Sequence, residues 1–102
     1  MVIFDLYIEQ GSTFNQVLQL GEDLTGYTVT GNLKDREGLI VVGIVSFTNI
    51  ATGEISIDLT AVQTATLSAG VGYYDIELTK TADGSVSKPI KGRIYTSGEV
   101  TI

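Results

Sequence analysis

The sequence predicts an all-β protein, an antiparallel β-sandwich of seven to eight strands with one short helical turn at about residues 61–67. Hydrophobic and polar residues alternate in short runs at roughly ten-residue spacing, as in the half-buried strands of two packed sheets. Glycine-containing turns separate these runs, and one interval carries a helix-start signal. A small closed barrel is the alternative architecture. Residues 1–102 are expected to form a single domain.

Alternating runs predict the first four strands: residues 2–10, 14–20, 27–33 and 39–48. The first run places Phe4, Leu6 and Ile8 on the buried face. Polar segments at residues 21–26 and 34–38 predict a turn region and a charged loop between the strands.

The apolar run at residues 39–45 differs from the other strands because both of its faces are hydrophobic. Such a strand is either covered on both sides or lies at an edge that receives another chain. A subunit interface and local coverage by a loop are therefore both open. A short terminal strand is also predicted at residues 99–102. The candidate interface residues are Leu39, Ile40, Val41, Val42, Ile44, Val100 and Ile102.

Residues 53–86 carry the clearest local signals of the chain. Residues 53–59 alternate as a half-buried strand. Thr60 and Gln63 have the spacing of a capping box, which predicts a helical segment at residues 61–67. Two glycines are expected to end that segment: Gly70 and Gly72. The expected pairs with the preceding strand are Val45 with Ile57 and Phe47 with Ile55.

The last hairpin, which turns at Asp83 and Gly84, can be assigned a register from the positions of its hydrophobic residues. Even-numbered residues face inward before and after the turn, Val86 among them, so even positions must pair with even positions. A three-residue loop at 82–84 with a left-handed Gly84 satisfies this requirement and pairs residue 81 with 85. The predicted pairs are Ile76 with Ile90, Tyr74 with Gly92, Asp75 with Lys91 and Tyr73 with Arg93.

The outward-facing pairs of this hairpin form the candidate surface patch of Tyr73, Lys91, Arg93 and Tyr95. Asp75 with Lys91 predicts a surface ion pair, and Tyr73 with Arg93 predicts a cation–π contact. The patch is either a site for an anionic or acidic partner or a set of ordinary cross-strand pairs. Pro89 cannot donate a ladder hydrogen bond, which predicts an edge or a bulge at that position.

The composition argues against several classes of function. The formal charge of −6 disfavours duplex nucleic acid as a partner, since phosphate contacts need a clustered basic surface. The sequence contains no histidine and no cysteine, and it contains no Ser-x-x-Lys motif to activate a serine. We therefore expect no enzymatic activity, no cofactor and no metal site. No segment has the length of a membrane span or the pattern of a secretion signal, so membrane association is not expected.

Several short turn and core motifs follow one another along nearly the whole chain: Gln10-Gly11-Ser12-Thr13-Phe14, Asp23-Leu24-Thr25-Gly26-Tyr27-Thr28, Gly53-Glu54-Ile55, Leu59-Thr60-Ala61, Thr64-Ala65, Tyr74-Asp75-Ile76-Glu77-Leu78, Gly92 and Glu99-Val100-Thr101. In order and spacing they resemble the small virion proteins of tailed bacteriophages. The layout is similar to the N-terminal β-sandwich domain of phage baseplate upper proteins, the module that fastens receptor-binding proteins to the tail. The resemblance implies an immunoglobulin-like sandwich with an assembly role and no catalytic residues.

The chain departs from the family pattern at its end, where Ser97-Gly98-Glu99-Val100-Thr101 and an apolar Ile102 replace a Pro-Glu-Val-Thr ending and a basic last residue. The 102 residues include no fibre segment, which implies an adaptor, completion or decoration subunit rather than a receptor binder.

The leading hypothesis is a non-enzymatic virion structural protein, made in the host bacterial cytoplasm and associated with the tail or baseplate. Its expected partners are other virion structural proteins, in a homo-oligomer or a larger assembly. A capsid decoration (cement) protein is the alternative in the same class. A carbohydrate-binding module is the alternative from another class, with Tyr7, Tyr73 and Tyr95 as its aromatic platform.

Overall fold

A computed structural model describes residues 2–98 of the chain, with the side chain of residue 2 left out. Two β-sheets pack against each other in a sandwich-like arrangement, which confirms the predicted all-β class. The elements in chain order are β1 (Val2–Ile3), β2 (Leu6–Glu9), β3 (Phe14–Gln19), β4 (Tyr27–Lys34), β5 (Ile40–Val42), β6 (Val45–Asn49), β7 (Glu54–Leu59), α1 (Ala61–Thr66), β8 (Gly70–Lys80) and β9 (Val86–Ser97). The predicted strand at residues 99–102 lies outside the described residues.

The larger sheet has six strands in the order β1-β9-β8-β4-β5, and β2 also pairs with β9. The smaller sheet has three strands in the order β3-β7-β6. The pairings of β1 and β2 with β9 are parallel, whereas the others are antiparallel as predicted. The long segment between β2 and β9, which includes the whole smaller sheet, provides the connection that parallel pairing requires.

The hydrophobic core lies between the two sheets and is built by alternation along each strand. In β7, the central strand of the smaller sheet, Ile55, Ile57 and Leu59 all point into this core and are fully buried. Their expected pairing with β6 is confirmed, since Val45 lies opposite Ile57 and Phe47 lies opposite Ile55. The larger sheet contributes mainly Leu6, Ile8, Leu33, Tyr74, Ile76, Ile90 and Ile94.

The helix start has the predicted capping box. The backbone N–H of Gln63 donates to Thr60 Oγ1 at 3.1 Å, and the backbone N–H of Thr60 donates to Gln63 Oε1 at 2.9 Å. The helix ends at Leu67, whose side chain is buried in the core. Gly70 and Gly72 therefore do not end the helix as predicted; both lie inside β8.

The chain runs 2–10 and 39–48 are each divided into two strands, which sequence alternation did not predict. In the first run, Phe4 and Asp5 interrupt the strand, and Phe4 is partly exposed instead of facing the core. Its carbonyl oxygen accepts a hydrogen bond from the Tyr74 hydroxyl and lies directly over Gly92. In the second run, Gly43 has a φ of +69° and turns the chain from the larger sheet into the smaller one.

The predicted register of β8 and β9 is correct for the four inner pairs, including Ile76 with Ile90 and Tyr74 with Gly92. Nearer the turn it is wrong by one residue, because Lys80 rather than residue 81 bonds to Ser85. A bulge between Ile76 and Leu78 inserts one extra residue into β9, at residues 88–89. The bulge agrees with the prediction from Pro89. It also turns Val86 outward, where it is 55% exposed, although the sequence predicted it to face inward.

Candidate interaction surface

The outer face of the six-stranded sheet carries more than half of the large hydrophobic side chains that are exposed between residues 2 and 98. Of the twelve large hydrophobic side chains exposed between residues 2 and 98, seven lie on this face: Ile3, Tyr7, Ile40, Val42, Val71, Tyr73 and Val86. Single exposed hydrophobic residues are normal on a protein surface. A concentration of them on one rigid face is typical of an interaction site. We call this surface the outer sheet face.

Strand register arranges the outer sheet face in two rows that cross the strands. The first row runs from β5 to β1 and consists of Val42, Asn32, Asp75, Lys91 and Ile3. The second row consists of Ile40, Lys34, Tyr73 and Arg93, and it continues to Asp5, whose Oδ1 accepts a hydrogen bond from the Arg93 backbone N–H at 3.0 Å. Each row therefore has hydrophobic side chains at its ends or centre and charged ones between them.

The predicted ion pair on this face involves a different lysine. Asp75 Oδ2 lies 3.5 Å from Lys88 Nζ, so Lys88 and not Lys91 is its salt-bridge partner among the described residues. The bulge explains the difference, because the extra residue in β9 brings Lys88 close to Asp75. Lys91 and Asp75 remain direct cross-strand neighbours, as predicted.

Arg93 lies among phenolic groups. A hydrogen bond with Tyr95 is the first cause that raises the pKa of the Arg93 guanidinium, and the negative charges of the Tyr95 and Tyr73 phenolates, which form at high pH, raise it further. Tyr73 lies directly opposite Arg93, as predicted, and is 61% exposed. The cation–π contact between them stays a prediction.

The proposed aromatic platform does not form a flat surface. Tyr7 and Tyr95 lie on paired strands, their ring centroids are 5.2 Å apart and their planes differ by 14°. This separation is close to the strand spacing of about 4.8 Å, so the two rings stand upright and cover each other's faces. A sugar ring stacks on an open aromatic face, and the stacking of this pair covers one face of each ring. Tyr73, the third member, lies on β8 opposite Arg93, which is two residues before Tyr95 on β9.

An open groove of about 660 Å³ lies between the two rows. Its lining includes Ile3 and Ile40 on the two outermost strands and Tyr73 on β8 between them. Its charged lining side chains are Asp5, Lys34, Asp75, Lys91 and Arg93. The groove can therefore receive a surface that offers both hydrophobic and charged groups.

No protein-family model matches the sequence, and no curated protein matches it. Among solved structures, the chain is similar to the N-terminal domain of phage TP901-1 ORF48, with a TM-score of 0.52 and 12% sequence identity over 93% of this chain and 84% of that one. At this identity the likeness shows a shared fold. The all-β sandwich of this chain is thus also found in a domain of a phage protein.

The structure separates the predicted interface residues into different environments. Ile40 and Val42 are exposed on β5, an edge strand of the six-stranded sheet, and Leu39 is exposed beside them. Val41 is half-buried against the core. Ile44 is 2% exposed and cannot take part in an interface, because the turn at Gly43 directs it into the sandwich. Two further members lie outside the described residues: Val100 and Ile102.

One charged residue that the sequence placed in an exposed loop is buried. Asp35 is 5% exposed, and its carboxylate accepts backbone N–H bonds from Glu37, Leu39 and Ser68, each at 2.9 Å. Burial alone raises the pKa of this carboxyl, but these bonds, together with the N–H of Gly38, lower the pKa below its usual value. Asp35 thereby joins the β4–β5 loop to the segment between α1 and β8. The sequence signal for this role was an aspartate at the start of a short loop that ends in a glycine.

The described part of the chain shows two further features that bear on function. Between residues 2 and 98, no three acidic side chains are grouped closely enough to hold a metal ion. The one described helix, α1, is too short and too polar to cross a membrane.

Proposed function

We propose that this chain is a non-enzymatic structural subunit of a phage virion that acts by binding neighbouring virion proteins. The finer form of the proposal is an adaptor or completion subunit at the tail or baseplate. The protein is made in the bacterial cytoplasm and incorporated into the particle.

The outer sheet face is the observation that carries this proposal. It combines exposed hydrophobic side chains with charges on a sheet whose other side is the core of the sandwich. A sheet face supported in this way loses little conformational entropy when it binds a partner, which favours assembly. The fold shared with the N-terminal domain of a phage protein supports the same class of function.

The two alternatives differ in how the structure bears on them. A capsid decoration protein would use the same kind of face, so the location in the particle distinguishes it from a tail subunit. A carbohydrate-binding module needs an open aromatic platform. Tyr7 and Tyr95 stack on each other, which disfavours that function.

Mass spectrometry of purified particles tests the proposal. Particles of the phage whose genome encodes the chain are purified on a density gradient, and tails are separated from heads before digestion. We expect the chain in the tail fraction at a constant ratio to the major tail proteins. Enrichment in the head fraction would support the decoration protein instead. Absence from both fractions would contradict a virion role.

A further inference from the structure

We propose that the outer sheet face binds the same face of a second copy of this chain. The two copies would be related by a two-fold axis that runs along the strands, midway between β8 and β9. This inference names a partner for the face used in the proposed function, but its test needs only the purified chain.

The charges next to this axis are self-complementary. In the first row, Asp75 on β8 and Lys91 on β9 lie on opposite sides of the axis. A two-fold rotation places Asp75 of each copy opposite Lys91 of the other, so the attraction occurs twice. In the second row, the same rotation places Tyr73 of each copy opposite Arg93 of the other, so that a phenol ring faces a guanidinium group at two places in the contact.

In the second row, the residues one strand further out follow the same rule. Lys34 lies on β4, next to Tyr73, and Asp5 lies on the other side of Arg93. The rotation brings Lys34 of one copy over Asp5 of the other. Within one chain, β8 and β9 separate Lys34 from Asp5. Lys34 and Asp5 therefore form no pair with each other within one chain, whereas a two-fold contact brings them together.

The hydrophobic flanks also meet in this arrangement. Ile40 and Val42 lie on β5 at one flank, and Ile3 and Tyr7 lie on β1 and β2 at the other. The rotation places the β5 flank of each copy beside the β1 and β2 flank of the other. Both ends of the contact then exclude water from exposed aliphatic and aromatic side chains.

The distribution of charge over the molecule favours this face for self-association. The outer sheet face carries four basic residues (Lys34, Lys88, Lys91 and Arg93) and three acidic ones (Asp5, Asp75 and Glu77). The remainder of the chain has two basic and nine acidic residues, so its other surfaces repel a second copy. Four of the five strand positions overlap in this arrangement, and at about 4.8 Å spacing and about eight residues of length they give roughly 500 Å² in projection on each copy, which is near the lower limit for a specific dimer.

Two single charge reversals test the proposal, Asp75→Lys and Lys91→Asp. In a homodimer of either variant, two like charges face each other on both sides of the axis. Sedimentation equilibrium of the full chain should show self-association at least about tenfold weaker for each variant than for the wild type. An equimolar mixture should recover association to within about threefold of the wild type, because each new charge then faces its opposite.

Controls and contradicting outcomes follow from the same design. Glu22→Lys and Lys80→Asp reverse exposed charges away from the face and should leave association unchanged. Thermal unfolding followed by circular dichroism checks that all variants fold. If a charge reversal prevents folding, Tyr73→Ser and Ile40→Ser replace it, and each should weaken association. A wild-type chain that stays monomeric at millimolar concentration would overturn the inference. Single variants that associate normally, or a mixture that is not rescued, would overturn it as well.

Failure of this inference is distinguishable from failure of the proposed function. A strictly monomeric chain that is nevertheless found in purified particles would leave the virion role intact and assign the outer sheet face to a different protein. A chain that dimerises as described but is absent from particles would support the dimer and contradict the virion role.

Discussion

Substitution of Asp35 tests how the loops at one end of the sandwich are held together. Asp35→Ala removes the carboxylate that accepts three backbone N–H hydrogen bonds of 2.9 Å. Two of the donors lie in the β4–β5 loop, and the third is Ser68. Hydrogen bonds to a charged group contribute about 1.5–3 kcal/mol each. The variant also avoids the cost of burying a carboxylate, which offsets part of the loss. The expected decrease in the free energy of unfolding is therefore about 3–5 kcal/mol.

The same residue gives the stability a pH dependence of known sign. The pKa of Asp35 is lower in the folded chain than its usual value. Its contribution is therefore complete above the unfolded pKa of about 3.9 and is lost as the pH falls through the lower folded pKa. Asp35→Asn should lower stability by about 2 kcal/mol at pH 7, and this difference from the wild type should narrow below about pH 4.

Urea unfolding followed by far-UV circular dichroism measures both effects, at pH 7 and again at pH 3. Asp23→Ala is the matched control, because Asp23 is exposed and, within residues 2–98, accepts hydrogen bonds only from Thr25 in its own turn. Its effect should be much smaller. The reasoning would be refuted if Asp35→Ala stayed within about 1 kcal/mol of the wild type, a range typical of surface changes.

The remaining predictions concern the helix cap and the packing of β9. Thr60→Ala should lower the free energy of unfolding by about 1 kcal/mol and Thr60→Ser should restore most of it, as measured by urea unfolding. Gly92→Ala should cost at least about 2 kcal/mol in the same assay because a Cβ there would overlap the Phe4 carbonyl oxygen, whereas Gly98→Ala, with no atom nearer than 4.0 Å, is a neutral control. Burial first, and the nearby Asp5 charge second, raise the pKa of Tyr74 to about 12. The wild type should therefore lose stability as the pH rises from about 10 to 12, and Tyr74→Phe should lose less over that range.

The features that the sequence predicted correctly are set by residues close together in the chain or by strict alternation. The capping box needs only the interval from Thr60 to Gln63. The pairing of Ile76 with Ile90 follows from the requirement that both strands of the hairpin show hydrophobic residues to one core. The alternation argument does not locate a bulge, however, and it fails nearer the turn, where Lys80 bonds to Ser85.

The features that the sequence analysis missed depend on contacts between distant parts of the chain. The burial of Asp35 requires the N–H of Ser68, which is 33 positions away. The turn at Gly43 depends on where the second sheet lies, so the sequence predicts one strand at residues 39–48 where the structure has two. Hydrophobicity alone did not distinguish Ile44, which enters the core, from Ile40, which stays exposed. The bulge near Pro89 was predicted, but its effect on Val86 was not.

The outer sheet face was only partly predicted from the sequence. Tyr73, Lys91 and Arg93 were assigned to a surface patch, and Ile40 and Val42 to a separate strand edge. The structure shows that both groups belong to one face, because β4 connects β8 to β5. The order of strands in a sheet is a long-range property, and the alternation of single strands does not specify it.

A cryo-electron microscopy reconstruction of intact particles tests the central claim most directly. If the chain is a virion subunit that assembles through the outer sheet face, its sandwich will be found at symmetry-related positions in the tail, with Tyr73 and Ile40 buried against a neighbouring subunit. Particles in which no density fits the sandwich, or in which the outer sheet face is open to solvent at every position, would contradict that claim.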